Sequence, residues 1–272
     1  MNPSTAAQLA HAAYGSDSHI VSVSQSVGFD NALIFERQQT RAFVAFNDSR
    51  MAVVFRGTKT WRHWAYNFDF RKVEHRNAKG HAGFLAELNH VWDDVESTVF
   101  DLIANGIHKH HWIGHSKGGG EANWGVARML QNALDAMHSG RHKRASRLWP
   151  NGLQTFGCPR VFTPRTANTI STLMEGRISR WCSPNDLVAH MPLKQTGFDH
   201  AGPESLLPPH GQPVVNPGPL TRAKAMAGSL TADTKRQKKW IGKLRAAIRE
   251  GGADHSMGLY AWKLAQLYGK TG

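Results

Sequence analysis

Trp112-Ile113-Gly114-His115-Ser116-Lys117-Gly118-Gly119 is the stretch on which the reading of the fold turns. It contains the pattern G-x-S-x-G. His110–His115, a short strand candidate, precedes it, and Gly118–Met137 follows as a helix with Ala122, Val126, Met129, Leu130 and Leu134 on one side. A strand that turns abruptly into a helix through such a pentapeptide holds its serine on a strained backbone, and the flanking glycines relieve crowding in the turn. Ser116 then projects beyond the sheet. The Lys117 N–H, at the helix N-terminus, is placed to donate to a developing oxyanion. A phosphate-binding loop is excluded, because no G-x-x-x-x-G-K-[ST] occurs.

Working outward, an Ala-rich N-terminal helix stopped by Gly15 is followed by strand-like runs at His19–Val27, Arg41–Phe46 and Met51–Phe55. Phe84 to Ile103 carries apolar residues at helical spacing. Beyond the pentapeptide and its helix, Leu153–Phe156 and Ile178–Cys182 read as short strands around a helix-like segment, Arg165–Leu173. This alternation predicts an α/β fold, a mostly parallel central sheet covered by helices on both faces. Six of the twelve prolines fall between Pro203 and Pro219, which reads as an irregular loop. Thr231–Glu250 reads as a basic amphipathic helix with Trp240, Ile241, Leu244 and Ile248 on one face, and Met257–Leu267 as a closing helix. One domain over 1–272 is expected, with a Pro-rich and basic insertion at about 203–250.

Composition narrows the function classes. The 272 residues hold 33 Lys+Arg against 20 Asp+Glu, a net charge of +13. With 40% hydrophobic and 19% charged residues, global disorder is excluded. Mean hydropathy is −0.44 and no run of about 20 apolar residues occurs, so no membrane span is expected. The first residues show no basic n-region and no apolar h-region, so no secretory signal is read. Cys158 and Cys182 are too few for a disulfide framework or a zinc ribbon, and buried free thiols are expected. His108, His110, His111 and His115 cluster without cysteine or acidic company, so they read as ordinary histidines rather than a metal site. Of the +13, +8 lies in residues 222–249, which hold nine Lys/Arg and one acid, Asp233. Such a segment suits docking on an anionic lipid surface or capping of a site as a second lid. No nucleic-acid motif accompanies it, and no nucleic-acid partner is expected.

A serine nucleophile needs a base, and the base needs an orienting acid. Asp186 follows the Ile178–Cys182 strand, and the loop after a parallel strand is where such a sheet builds its site. The candidate bases are His190, His200, His210 and His255. His190 is close to Asp186 in sequence, and His210 lies in the Pro-rich segment. His255 precedes the last helix, from where a loop folds back to the sheet edge.

Taken in order, these residues resemble the class 3 (fungal-type) lipase family of α/β-hydrolases. Gln8-Leu9-Ala10-His11-Ala12-Ala13-Tyr14 is similar to its N-terminal helix, and Val53-Val54-Phe55-Arg56-Gly57-Thr58 to its oxyanion strand. His81-Ala82-Gly83-Phe84, Gly114 to Gly119, and Thr155-Phe156-Gly157-Cys158-Pro159-Arg160-Val161 match further segments in sequence order. His200-Ala201-Gly202-Pro203-Glu204 resembles a structural H-x-G-x-E strand, and His255 with Tyr260 the terminal H-x-x-x-x-Y. The resemblance implies Ser116 as nucleophile, His255 as general acid/base and Asp186 as its orienter. It also implies Thr58 and Lys117 as oxyanion donors, and ester hydrolysis through an acyl-enzyme with no metal or cofactor. Long-chain acylglycerols lead as substrates, with phospholipase A1-like and short-chain esterase activity as alternatives. A catalytically silent lipid- or nucleic-acid-binding protein is the alternative from a different class. Where the family carries its lid, residues 59–70 place Trp61 and Trp64 on one helical turn, while Trp64, Tyr66, Phe68 and Phe70 alternate. This reads as a short helix running into a strand, with Trp61 and Trp64 as substrate-binding or lid residues. The gap from Asp186 to His255 is longer than the family pattern. Oligomeric state has no signature in the sequence.

Overall fold

The computed structural model describes residues 1–58, 71–208, 211–231 and 255–269. Among these, eight strands form one sheet, in the order β1-β2-β3-β6-β7-β8-β9-β10. The strands β1 (Asn31–Arg37), β2 (Thr40–Phe46) and β3 (Met51–Phe55) are antiparallel neighbours. From β3 the sheet continues in parallel through β6 (His110–His115), β7 (Gly152–Phe156), β8 (Ile178–Cys182) and β9 (Glu204–Leu206). The antiparallel β10 (Val214–Val215) closes it. A separate hairpin joins β4 (Lys72–His75) to β5 (Ala78–His81).

Alternation along the central strands divides the core in two. Met51, Val53, Phe55 and Trp112 face one layer, with Phe84, Trp92, Trp124, Ala145 and Ile170. That layer is covered by α3 (Ala82–Asn89), α4 (Trp92–Ala104), α5 (Lys117–His138), α6 (His142–Leu148) and α7 (Pro164–Leu173). Ala52, Val54 and Ile113 face the other layer, with Leu9, Phe156 and Tyr260. There α1 (Pro3–Ala12) packs on α9 (Met257–Tyr268) with α2 (Asp17–Ser26) beside it, while α8 (Pro219–Thr231) sets Ala225 against a separate small cluster of Cys182, Ala189 and Leu206. The parallel strands are buried on both faces: every residue of β3, β7 and β9 is buried, and all but one in each of β6 and β8.

Two readings need correction, and the helical spacing at 84–103 gains its bounds. His19–Val27 is not a strand, since residues 17–26 form α2. Ser16 caps it by accepting from the His19 N–H, and Ile20, Ser24 and Val27 are buried at helical spacing, which outweighs the β propensity of Val21 and Val23. Phe84 to Ile103 is two helices, broken at His90-Val91. The Pro-rich stretch from 203 to 219 is not wholly irregular. It contributes β9 and β10 to the sheet edge, where proline's missing N–H is tolerated, and Pro219 opens α8. The expected basic helix Thr231–Glu250 and the expected helix–strand at 59–70 lie outside the described residues, except for Thr231 at the end of α8. No described helix is long and apolar enough to cross a membrane.

Candidate active site

The parallel strands deliver their C-terminal ends to one edge. Gly57 and Thr58 follow β3, Ser116 follows β6, Gly157 follows β7, and the loop to Asp186 follows β8. Ser116 sits at φ 55° and ψ −126°, a sparsely populated region for a side chain with a Cβ. Its N–H donates to Phe156 O (2.9 Å) and its carbonyl accepts from the Gly119 N–H (3.0 Å), so the turn is held from both sides. A Cβ at Gly118 would lie 2.3 Å from Phe55 O, and only glycine lets the new helix pass so close to β3.

The structure brings Ser116, His255 and Asp186 together. His255 Nε2 lies 2.7 Å from Ser116 Oγ, and His255 Nδ1 lies 2.9 Å from each Asp186 oxygen. All three are buried. Asp186 also accepts from the Val188 N–H (3.0 Å) and the Tyr260 hydroxyl (2.7 Å), and Tyr260 in turn accepts from the Ser183 N–H (2.8 Å). With Nδ1–H committed to the carboxylate, Nε2 is left to accept the serine proton. Gly157, at φ +55°, lies beneath the pair: a Cβ there would stand 2.5 Å from Asp186 Oδ2 and 2.9 Å from His255 Nδ1.

A second chain of hydrogen bonds fixes the loop that carries His255. The Gly57 N–H donates to the Tyr14 hydroxyl, which lies 2.6 Å from His115 Nδ1. His115 Nε2 lies 2.8 Å from the His255 carbonyl oxygen. Because that carbonyl only accepts, His115 carries its proton on Nε2 and receives the Tyr14 O–H on Nδ1. Complete burial holds the His115 pKa well below the usual histidine value, so the ring is neutral.

Two oxyanion candidates flank the nucleophile. The backbone of Gly57 is packed against Ser116, since a Cβ on Gly57 would lie 3.0 Å from Ser116 Cβ. Thr58 is the next residue, and its hydroxyl is buried without a hydrogen-bond partner. An orphaned buried hydroxyl is costly unless something else comes to occupy it. Lys117 opens α5. Its side chain does not reach solvent but turns into the protein at 3% exposure, with Nζ 2.7 Å from Glu87 Oε2 and 2.9 Å from Glu121 Oε1. Burial works against the ammonium, but Glu121 and Glu87 outweigh it and hold the Lys117 pKa above its ordinary value. Burial pushes the Glu121 carboxyl up against the pull of Lys117. Glu87 is less buried, and Lys117 and the Thr40 hydroxyl (2.7 Å) hold it below the usual carboxylate range.

The other candidates separate from this site. His200 Nε2 donates to Ala189 O (2.9 Å), and His190 lies in a short helical turn after Asp186. His210, Trp61 and Trp64 lie outside the described residues. His110 accepts from Trp112 Nε1–H (2.9 Å), and among the described residues no group of three or more His, Cys, Asp or Glu is placed to hold a metal ion. Cys158 and Cys182 are buried free thiols. Sequence reasoning missed Tyr14 and His115 as supports, and Glu87 and Glu121 as partners of Lys117. The one available signal was a lysine within the elbow itself, where the helix must turn inward.

Comparison with known proteins bears on the family and the fold. The family described as lipase (class 3) matches residues 52–196. Lipases from Rhizomucor miehei and Rhizopus niveus are 34% and 32% identical over 172 and 176 residues, 61% of this chain in each case. Those matches span 44% and 41% of the relatives, so the chain covers less than half the length of the relatives it matches. Among solved structures, a triacylglycerol lipase whose catalytic centre is a serine protease triad aligns at TM-score 0.60 and 25% identity, over 78% of this chain and 82% of that one. Lipase II from Rhizopus niveus aligns at TM-score 0.60 and 26% identity over the same shares. The expected α/β-hydrolase fold, with its mostly parallel sheet, is the fold of these neighbours.

Proposed function

The chain belongs to the class 3 lipase family, and from that premise we propose that it is a serine carboxylic-ester hydrolase of triacylglycerol-lipase type. One observation carries the reading: the unbroken Ser116–His255–Asp186 contact at 2.7 and 2.9 Å, at the C-terminal edge of the sheet. In the proposed reaction Ser116 Oγ attacks the ester carbonyl while His255 Nε2 takes its proton. Asp186 keeps the ring oriented and stabilises the imidazolium. The carbonyl oxygen, now an oxyanion, receives the Lys117 N–H and the Thr58 N–H and hydroxyl, each donor contributing about 3 kcal/mol. His255 returns the proton to the leaving alcohol, and water then releases the carboxylic acid from the acyl-enzyme by the same route. No step calls for a metal or cofactor.

A fluorophosphonate should add covalently to Ser116 and not to the Ser116→Ala protein. Folded protein that takes up no label would refute the hydrolase reading and leave the silent binding protein. A series of esters of rising acyl length, with a phospholipid beside them, then separates lipase from short-chain esterase and from phospholipase A1-like activity.

The second proposal is that the chain docks on an anionic lipid surface. The loop after Asp186 exposes Leu187 (67%) and Leu193 (60%), and α8, which packs Ala225 against Ala189 and Leu206, exposes Leu220 (80%) beside the cationic Lys224, while Arg222 on the same helix is paired with Glu204. Apolar anchors beside cations favour such a surface. Deleting Thr231–Glu250 should lower activity on anionic vesicles more than on a soluble ester, and equal loss on both would sink the idea.

A further inference from the structure

A cavity of about 260 Å³ lies away from the serine, between the β4–β5 hairpin, the outer face of α5 and α7. Trp124, Ala127, Leu130, Leu134, Ile170 and Leu173 make it largely apolar. Its charged lining is one-sided: Arg76, Arg128 and His75 contribute, and no carboxylate does. Arg76 is neutralised by its ion pair with Asp135. Arg128 is not. It is 8% exposed, rests its guanidinium 4.7 Å from the Trp92 ring centroid, and donates through Nη2 to Asn89 Oδ1. Its Nε has no hydrogen-bond partner, and among the described residues the guanidinium has no ion-pair partner. Asp93 and Glu96 act on it only through space.

A buried cation without a contact ion pair beside an apolar cavity is an expensive arrangement, because burial removes the guanidinium's water and the carboxylates of Asp93 and Glu96 act only from a distance. The field it leaves is felt locally, since burial, then Arg128 and Arg76, hold the His75 pKa below the ordinary histidine value. The cavity is smaller than the ~300 Å³ at which drug-sized pockets begin. It therefore suits a small ligand with one negative charge and an apolar body.

We propose that this cavity binds a small aliphatic monocarboxylate, its head on Arg128 and its chain along Leu134, Ile170 and Leu173. A phosphate or dianion would find a single free guanidinium and too much hydrocarbon. The site does not depend on the hydrolase reading. If that reading holds, the ligand class coincides with the acids the reaction releases.

The test is calorimetric titration of octanoate, and separately of the uncharged octanamide, into the Ser116→Ala protein of residues 1–272. Octanoate should bind at one site per chain, at least tenfold tighter than octanamide. Arg128→Met should weaken octanoate at least tenfold. Thr169→Trp places bulk at the exposed mouth on α7, leaves the core untouched, and should abolish binding. That variant and the octanamide comparison decide the matter even where Arg128→Met folds poorly. Equal affinity for the two probes, or octanoate binding unchanged by Thr169→Trp, would overturn the proposal and place any carboxylate at the serine.

Discussion

Replacing Lys117 by methionine keeps the length and removes the charge from a cluster of two carboxylates and one ammonium. The cost can be apportioned from burial. Glu87 is 28% exposed and retains the Thr40 hydroxyl, so losing Lys117 costs it little. Glu121 is fully buried, and neither of its oxygens makes a hydrogen bond beyond the ion pair. Removing one partner of a buried pair costs about 3–5 kcal/mol, and here nearly all of that falls on Glu121. The double variant Lys117→Met with Glu121→Leu exchanges the pair for hydrocarbon of similar volume and should return to within about 1 kcal/mol of the parent. Urea unfolding followed by far-ultraviolet circular dichroism, at constant m, measures all four corners of the cycle. The single variant should also regain stability as pH falls from 7 toward 5, because a protonated Glu121 no longer needs the ammonium. A loss under about 1 kcal/mol for Lys117→Met, or a double variant no better than the sum of its parts, would refute this reasoning.

Three further outcomes are expected. Tyr260→Phe deletes a 2.7 Å hydrogen bond to Asp186, and a bond to a carboxylate contributes about 1.5–3 kcal/mol, so kcat should fall roughly 10- to 100-fold with KM little changed. A rise in KM alone would contradict that. Gly157→Ala forces Asp186 and His255 apart; a displacement of about 1 Å costs on the order of 100-fold in rate, so near-parental kcat in steady-state assays would count against the packing described. Burial lowers the pKa of His110 to about 4 and of His111 to about 3. The folded values lie below the unfolded one, so the stability they contribute is complete above pH ~6.5 and drains as pH falls toward 4, by about 1.4 kcal/mol per pH unit for each. His110→Gln should reduce the slope of urea-derived stability between pH 6.5 and 5 by one proton, and an unchanged slope would exclude His110 as a contributor.

The elbow was legible because its chemistry is local. Gly114, Ser116 and Gly118 announce a turn that few other sequences need, and the strand before it and helix after it are set by nearby apolar spacing. Asp186 was a candidate by its place after a strand, and His255 stood out from three other histidines only through the resemblance to the class 3 lipase family. Residues 19–27 misled because a short run with Ile20, Val21, Val23 and Val27 satisfies both a period of two and a period near four. Only the Ser16 cap, and the burial of Ile20, Ser24 and Val27 on one side, separate the two. The Lys117 cluster was illegible for another reason. Glu87 comes from α3 and Thr40 from β2, so nothing near Lys117 in sequence says that its side chain will be buried.

The hydrogen bonds from Gly57 through Tyr14 and His115 to the His255 carbonyl separate reach from aim. A base delivered at the end of a long excursion would ordinarily inherit every irregularity of the chain leading up to it. Here its alignment is read off the first helix and the central strands instead. The imidazole therefore takes its bearing from partners other than the stretch that precedes it in sequence. The reverse also holds: a disturbance at Tyr14, just past the first helix and far from the chemistry in sequence, would reach the loop that carries His255.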